Sequence, residues 1–129
     1  MEILEVGLSE RSYPIYIGER LLENNALLNR EISAKQVLIV TNEVVAPLYL
    51  KRLTKALGKR DQHSLILPDG EQHKTLSYFS SIIDKLIDHG FHRDSCVVAL
   101  GGGVIGDIVG FAAACYQRGI DSFRFQLPC

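Results

Sequence analysis

Two hydrophobic rhythms run along this chain. Over residues 1–17 apolar and polar positions alternate: Ile3, Leu4 and Val6, a polar break at Ser9-Glu10-Arg11-Ser12, then Tyr13, Ile15 and Ile17. A period of two predicts a pair of extended runs forming a hairpin-like ribbon. Pro14 has no N–H for a ladder, which predicts that the second run lies at a sheet edge. A short helical or irregular stretch is expected through Leu21, Leu22, Leu27 and Leu28. Further on, apolar residues come in unbroken clusters. Val37-Leu38-Ile39-Val40, Ser64-Leu65-Ile66-Leu67 and Cys96-Val97-Val98-Ala99-Leu100 read as strands covered on both faces. Leu48, Leu53, Ala56 and Leu57 predict a helix with Pro47 in its first turn and Gly58 as its stop. Leu76, Phe79, Ile82, Ile83, Leu86 and Ile87, three and four apart, predict a second helix ended by Gly90. A third is expected from about Val104 to Gln117, with Gly119 after it. Strand–helix units joined this closely predict an α/β fold: a Rossmann-like parallel sheet with flanking helices, extended by the N-terminal β-ribbon.

Composition narrows the class. A chain of 129 residues allows one domain, and 47% apolar with 22% charged residues excludes a disordered or collagen-like chain. The formal charge is −1 and no Lys/Arg run exceeds two residues (Lys51-Arg52, Lys59-Arg60), so no nucleic-acid partner is expected. No apolar stretch reaches the ~18 residues of a membrane span. The acidic start Met1-Glu2-Ile3-Leu4-Glu5 is unlike a signal peptide. The odd set Cys96, Cys115 and Cys129 has no metal-site spacing and fits reduced thiols in a cytoplasmic protein, with Cys96 and Cys115 expected in the core.

The strongest chemical signal is Leu100-Gly101-Gly102-Gly103-Val104-Ile105-Gly106-Asp107, where Gly101, Gly103 and Gly106 fit G-x-G-x-x-G between a strand and a helix. Such glycines open backbone dihedrals closed to other residues and let a ligand lie directly on the peptide groups. The helix start adds free N–H groups and roughly half a positive charge, which suits a diphosphate. A tight turn with close packing and no ligand fits the same residues. Gly106, Gly110 and Ala114, four apart, read as a small-residue stripe that brings the helix close to the sheet. Against an ordinary dinucleotide site, the motif follows a late strand and lacks an acidic ribose partner ~20 residues on. A second signal, Pro68-Asp69-Gly70-Glu71-Gln72-His73-Lys74-Thr75, follows a buried strand. Its carboxylates, amide, imidazole and ammonium suit ribose hydroxyls and phosphate, and equally suit a solvated turn opening a helix. Asn42 fits a nucleotide contact or a helix cap. Arg118 fits a phosphate contact or an offset to a helix dipole. His89 and His92 straddle Gly90 and read as a solvated loop in preference to a metal pair.

The motifs PDGEQHK at 68–74 and ALGGGVIGD at 99–107 together resemble the dehydroquinate synthase family. Supporting matches are Arg11-Ser12-Tyr13-Pro14-Ile15, the run from Val40-Thr41-Asn42-Glu43 to Ala46-Pro47-Leu48-Tyr49-Leu50, and Gly110-Phe111-Ala112-Ala113-Ala114 with Tyr116-Gln117-Arg118-Gly119. The resemblance extends from residue 1 to about Asp121. It implies conversion of the sugar phosphate 3-deoxy-D-arabino-heptulosonate 7-phosphate into 3-dehydroquinate and phosphate, with tightly held NAD and a divalent metal, zinc or cobalt. A substrate hydroxyl is oxidised transiently, which acidifies the neighbouring C–H and lets phosphate leave. The ketone is then reduced again, and the ring opens and recloses by an aldol step. The resemblance further implies that Asp69, Gly70, Glu71, Gln72, His73 and Lys74 line the NAD site with Gly102, Gly103, Val104, Ile105, Gly106 and Asp107. Asn42 would lie near the adenosine ribose, and Arg118 would meet the substrate phosphate across a homodimer. The alternatives are another sugar-phosphate cyclase, such as an inosose or valiolone synthase, and a non-catalytic nucleotide- or partner-binding fragment.

The tail departs from the family pattern. Family chains run on with a strand like FIQVPTTLL, whose paired threonines contact NAD, whereas residues 121–129 read DSFRFQLPC. One permitted coding of these residues, read from its third base, gives F-I-Q-V-P-T-T-L. The expectation is therefore an incomplete NAD-binding domain over 1–121, an out-of-frame tail over 122–129 and no metal-binding C-terminal domain. On that expectation the sheet lacks its next strand and leaves an apolar edge open. The chain alone would show no measurable cyclase activity and weak NAD binding at best.

Overall fold

The computed structural model describes residues 2–8, 11–17, 28–30, 32–68 and 75–126. Of the stretch expected to be helical or irregular through Leu21, Leu22, Leu27 and Leu28, residues 18–27 lie outside the described residues and Leu28 is helical; the polar segment 69–74 also lies outside them. The strands are β1 (Glu2–Leu8), β2 (Arg11–Ile17), β3 (Gln36–Asn42), β4 (Asp61–Leu67), β5 (Cys96–Gly101) and β6 (Asp121–Gln126). They form one sheet in the order β1-β2-β6-β5-β3-β4. β1 and β2 are antiparallel, with Glu2 opposite Ile17 and Leu8 opposite Arg11, which is the expected ribbon. The pairs β2–β6, β6–β5, β5–β3 and β3–β4 are all parallel. Helix α1 (Lys51–Leu57) is entered through a π-turn at Ala46–Leu50 that holds Pro47, and α2 (Thr75–Asp88) and α3 (Gly103–Cys115) follow.

Parallel strands need crossovers, and crossovers cover both faces of the sheet, so the central strands must be apolar throughout. β5 is buried along its whole length. Because side chains alternate along a strand, each central strand feeds two cores. On one face Val37, Ile39, Val98, Leu100, Phe123 and Phe125 pack against Leu53, Ala56 and Leu57 of α1. On the other, Leu38, Val40, Val97 and Ala99 pack beneath Tyr78, Ile82 and Leu86 of α2 and Ile105, Ile108, Val109 and Ala112 of α3. Gly58 ends α1 at φ 72°, its N–H donating to the Thr54 carbonyl, as a helix-terminating glycine does.

Several expectations need correction. β6 supplies the strand thought to be missing. It lies between β5 and β2, aligning Cys96 with Asp121 and Gly101 with Gln126. Phe123 and Phe125 satisfy the core that a bare β5 edge would expose, so no open edge remains there. Pro14 therefore does not mark an edge. The parallel ladder to β6 begins at Ile15, one residue past the position that cannot donate. β4, read as buried on both faces, is an edge strand with Ile66 exposed, because no strand among the described residues pairs beyond it. The buried side of α2 runs Tyr78–Ile82–Leu86, and Leu76 and Ile87 are exposed. The third helix stops at Cys115, and Cys115 is exposed, not in the core.

Two outcomes test this packing. Phe125→Ala removes a side chain that is 2% exposed and is expected to cost about 3–5 kcal/mol in urea unfolding; a loss under ~1 kcal/mol would contradict a core-forming β6. Cys96 is buried, and burial first, then the Asp121 carboxylate, pushes its thiol up to about 12 from 9.0. The unfolded chain therefore releases this proton first, so Cys96 lowers stability only as pH rises from about 9 towards 12. At pH 8, iodoacetamide followed by peptide mapping is expected to modify Cys115 and spare Cys96 until denaturant is added. Equal labelling in the native state would refute the buried position.

Candidate functional site

The carboxyl ends of β3, β4, β5 and β6 lie along one sheet edge, as parallel pairing requires. The connection leaving β3 packs α1 on one face of the sheet, and the connection leaving β5 packs α3 on the other. A crevice therefore opens between the ends of these two neighbouring strands, the place where open α/β sheets receive ligands. The hydroxyl of Thr41 on β3 donates to the Leu100 carbonyl at 2.8 Å and ties the two strand ends together.

From that anchored carbonyl the chain turns through Gly101 at φ 150°, a conformation that L side chains rarely adopt. Gly102 then caps α3 with φ −84° and ψ −176°, and no side chain bonds to the cap. The Gly106 N–H closes the first turn on the Gly102 carbonyl at 3.2 Å. The N–H groups before it have no partner inside the helix. Among the described residues, side chains leave the space above them open: a Cβ built on Gly102 or Gly103 would meet none of their atoms within 4 Å. Uncapped amides, the positive end of the α3 dipole and free room thus coincide at the crevice.

The remaining sequence candidates divide. Asn42 ends β3 at this same edge, and its Oδ1 accepts from the N–H groups of Val44 at 3.0 Å and Val45 at 2.8 Å. It thus holds the turn that brings Val45 beside Gly101, while the helical segment that begins at Ala46 has no side-chain cap. Asp69, Gly70, Glu71, Gln72, His73 and Lys74 lie outside the described residues, but both their anchors are placed. Pro68 follows β4 at the crevice edge, and its carbonyl accepts from the Tyr78 hydroxyl of α2 at 3.0 Å. Arg118 is not brought to the glycine turn. It sits at the far end of α3, about 20 Å away along 13 helical residues. There Gln117 at φ 45° and Arg118 at φ 65° both hold left-handed backbone, which costs about 1–3 kcal/mol each. The bend is tied down by the Tyr116 hydroxyl, donating to the Phe91 carbonyl at 2.7 Å, and by Gln117 Nε2, donating to the same carbonyl at 3.2 Å.

Two features escaped the sequence reading. His89 is no free loop residue: its ring stacks on His63 of β4 at 3.7 Å, and His63 Nε2 lies 3.1 Å from Asp61 Oδ1. Among the described residues no group of three His, Cys, Asp or Glu side chains is placed to hold a metal. The second feature is Arg124 of β6. Its Nη2 donates to the Gly103 carbonyl at 2.8 Å and to Asp107 Oδ1 at 2.5 Å, with the side chain only 10% exposed. A Cβ on Gly106 would lie 1.7 Å from Arg124 Nε. The small-residue stripe thus needs correcting: Gly106 makes room for a guanidinium, and Ala114 is exposed. The buried side of α3 is Ile105, Ile108, Val109, Ala112 and Ala113. An arginine set between Phe123 and Phe125 was the available signal.

Comparison with known proteins bears on the family and the fold. The family described as 3-dehydroquinate synthase N-terminal matches residues 64–128. The 3-dehydroquinate synthases of Methylococcus capsulatus and Pseudomonas putida are 55% and 58% identical over 120 and 121 residues, 93% and 94% of this chain. The chain spans about a third of the length of these relatives, 33% of each. Among solved structures, a 2-deoxy-scyllo-inosose synthase complexed with carbaglucose-6-phosphate, NAD+ and Co2+ superposes with a TM-score of 0.76 at 26% identity. That match covers 98% of this chain and 35% of the other.

The contact between Gly106 and Arg124 has a measurable consequence. Gly106→Ala forces the guanidinium out of its pocket and is expected to cost about 1–3 kcal/mol in denaturant unfolding. In an Arg124→Ala background the room exists, and the same alanine is expected to be neutral or to stabilise by about 0.5–1 kcal/mol as a helix residue. An equal penalty in both backgrounds would contradict the contact.

Proposed function

Because the chain belongs to the 3-dehydroquinate synthase family, we propose that these residues form its NAD-binding part. The full-length family chain would then convert 3-deoxy-D-arabino-heptulosonate 7-phosphate to 3-dehydroquinate and phosphate in the cytoplasm. The 129 residues span about a third of the relatives, so cofactor binding without turnover is what we propose for them alone. The observation that carries the reading is the open, uncapped start of α3 at the switch point of the sheet.

In this reading the amides of Gly103, Val104 and Ile105 receive the diphosphate, and the glycines at 102 and 103 let it approach the backbone. Gly106 and Asp107 act at one remove, through Arg124. The polar run Asp69–Lys74, attached beside the crevice at Pro68, supplies groups for ribose hydroxyls and phosphate. Asn42 holds the turn at the adenosine end of the crevice. Bound NAD supplies a hydride acceptor; the chain's own residues hold and orient it. Arg118, on its strained bend, is assigned to the substrate phosphate, away from the cofactor cradle of its own chain. The divalent metal implied by the family finds no cluster of three ligands among the described residues, and no step is assigned to it.

Identity above 50% to the 3-dehydroquinate synthases, against 26% to the inosose synthase, favours the heptulosonate substrate over that of the related cyclase. The test uses calorimetric titration of the 129-residue protein with NAD. Gly103→Ala adds a methyl group where the fold has room, so the melting temperature is expected to hold or rise. That methyl occupies the diphosphate position, and NAD affinity is expected to drop about tenfold, ~1.4 kcal/mol. Undetectable NAD binding by the unaltered chain, or full affinity in Gly103→Ala, would overturn the reading.

A further inference from the structure

Arg124 reaches α3 from a different element, β6, and its placement bears on how an anion is held at the glycine turn. A cation beneath the first turn of a helix is opposed by the helix dipole. Here it is held by two acceptors at once, the Gly103 carbonyl at 2.8 Å and the Asp107 carboxylate at 2.5 Å. The carboxylate side is exposed, 76% against 10% for the arginine, so the pair is anchored from below and open above. Left alone, Asp107 would put a full negative charge one turn from the amides that face the crevice. Gly106, bare of a side chain, is what lets the guanidinium reach both partners.

We infer that Arg124 is a positioning residue for the anion: it cancels the charge of Asp107 beside the glycine turn and, through the Gly103 carbonyl, fixes the peptide groups that receive a diphosphate. The inference rests on the cofactor-binding reading. Arg124 itself touches no ligand.

The experiment measures NAD and inorganic pyrophosphate binding to the full chain by calorimetry. Arg124→Met is expected to weaken both about tenfold at low salt. The loss shrinks towards 1 M salt, where the screening length falls to about 3 Å. Asp107→Asn in the Arg124→Met background removes the uncompensated carboxylate and is expected to restore affinity to within about threefold. A packing role for the arginine would not be rescued this way. Arg124→Lys, which keeps the charge, is expected to recover part of the loss. If Arg124→Met does not fold, Asp107→Asn alone decides: it leaves Arg124 unopposed and is expected to tighten pyrophosphate binding about twofold to fivefold at low salt. Failure of the unaltered chain to bind either ligand overturns the cofactor reading together with this one. Binding that Arg124→Met leaves unchanged, that Asp107→Asn fails to restore in that background, or that Asp107→Asn alone does not tighten, overturns the role of Arg124 only.

Discussion

The site depends on how β5 leaves the sheet. This strand is buried on both faces and paired on both edges, to β3 and β6, so its backbone groups are committed along its length. A chain in that position can continue only by turning sharply at the sheet's end. The turn here passes through Gly101 at φ 150°, while Thr41 on the neighbouring strand holds the preceding carbonyl in place. The helix that follows must then begin at the edge of the sheet, with its first amides over the crevice. An anion-receptive surface is thus a by-product of terminating a fully buried parallel strand with glycine.

The two ends of α3 are built differently. At its start, open space and uncapped amides meet a guanidinium that β6 inserts beneath the first turn. At its end, two non-glycine residues hold left-handed backbone, kept there by Tyr116 and Gln117 binding the carbonyl of Phe91. Some 20 Å of helix separates the two ends, so the cofactor and substrate-phosphate roles proposed for them fall to separate places on the chain.

Much of this was legible in the sequence. The runs at 37–40 and 96–100 could be read as central strands because a strand covered twice has no polar positions to spare. The glycine turn was legible as a turn because three successive glycines between a strand and a helix open dihedrals closed to other residues, though the motif alone left a ligand-free turn open as well. β6 was not legible. Arg124 breaks its apolar run, and its partner β2 lies more than 100 residues earlier, so no local pattern announces the pairing. The link between Gly106 and Arg124 joins two different elements through the sheet, so no helical spacing shows it, which made a packing stripe the natural reading of Gly106, Gly110 and Ala114. Tyr78 was passed over in α2 because its hydroxyl reads as polar; the Pro68 carbonyl accepts from that hydroxyl, and the ring stays in the core. The polar run 69–74 was readable only as chemistry, with its geometry outside the described residues.

The central claim is that the amides opening α3 receive a diphosphate. Amide NMR of the 15N-labelled chain, titrated with pyrophosphate and then with NAD, tests it most directly. The account expects the largest saturable shifts at Gly103, Val104 and Ile105, with both ligands moving the same signals. Shifts centred elsewhere, or none at these three residues while NAD binds, would contradict it.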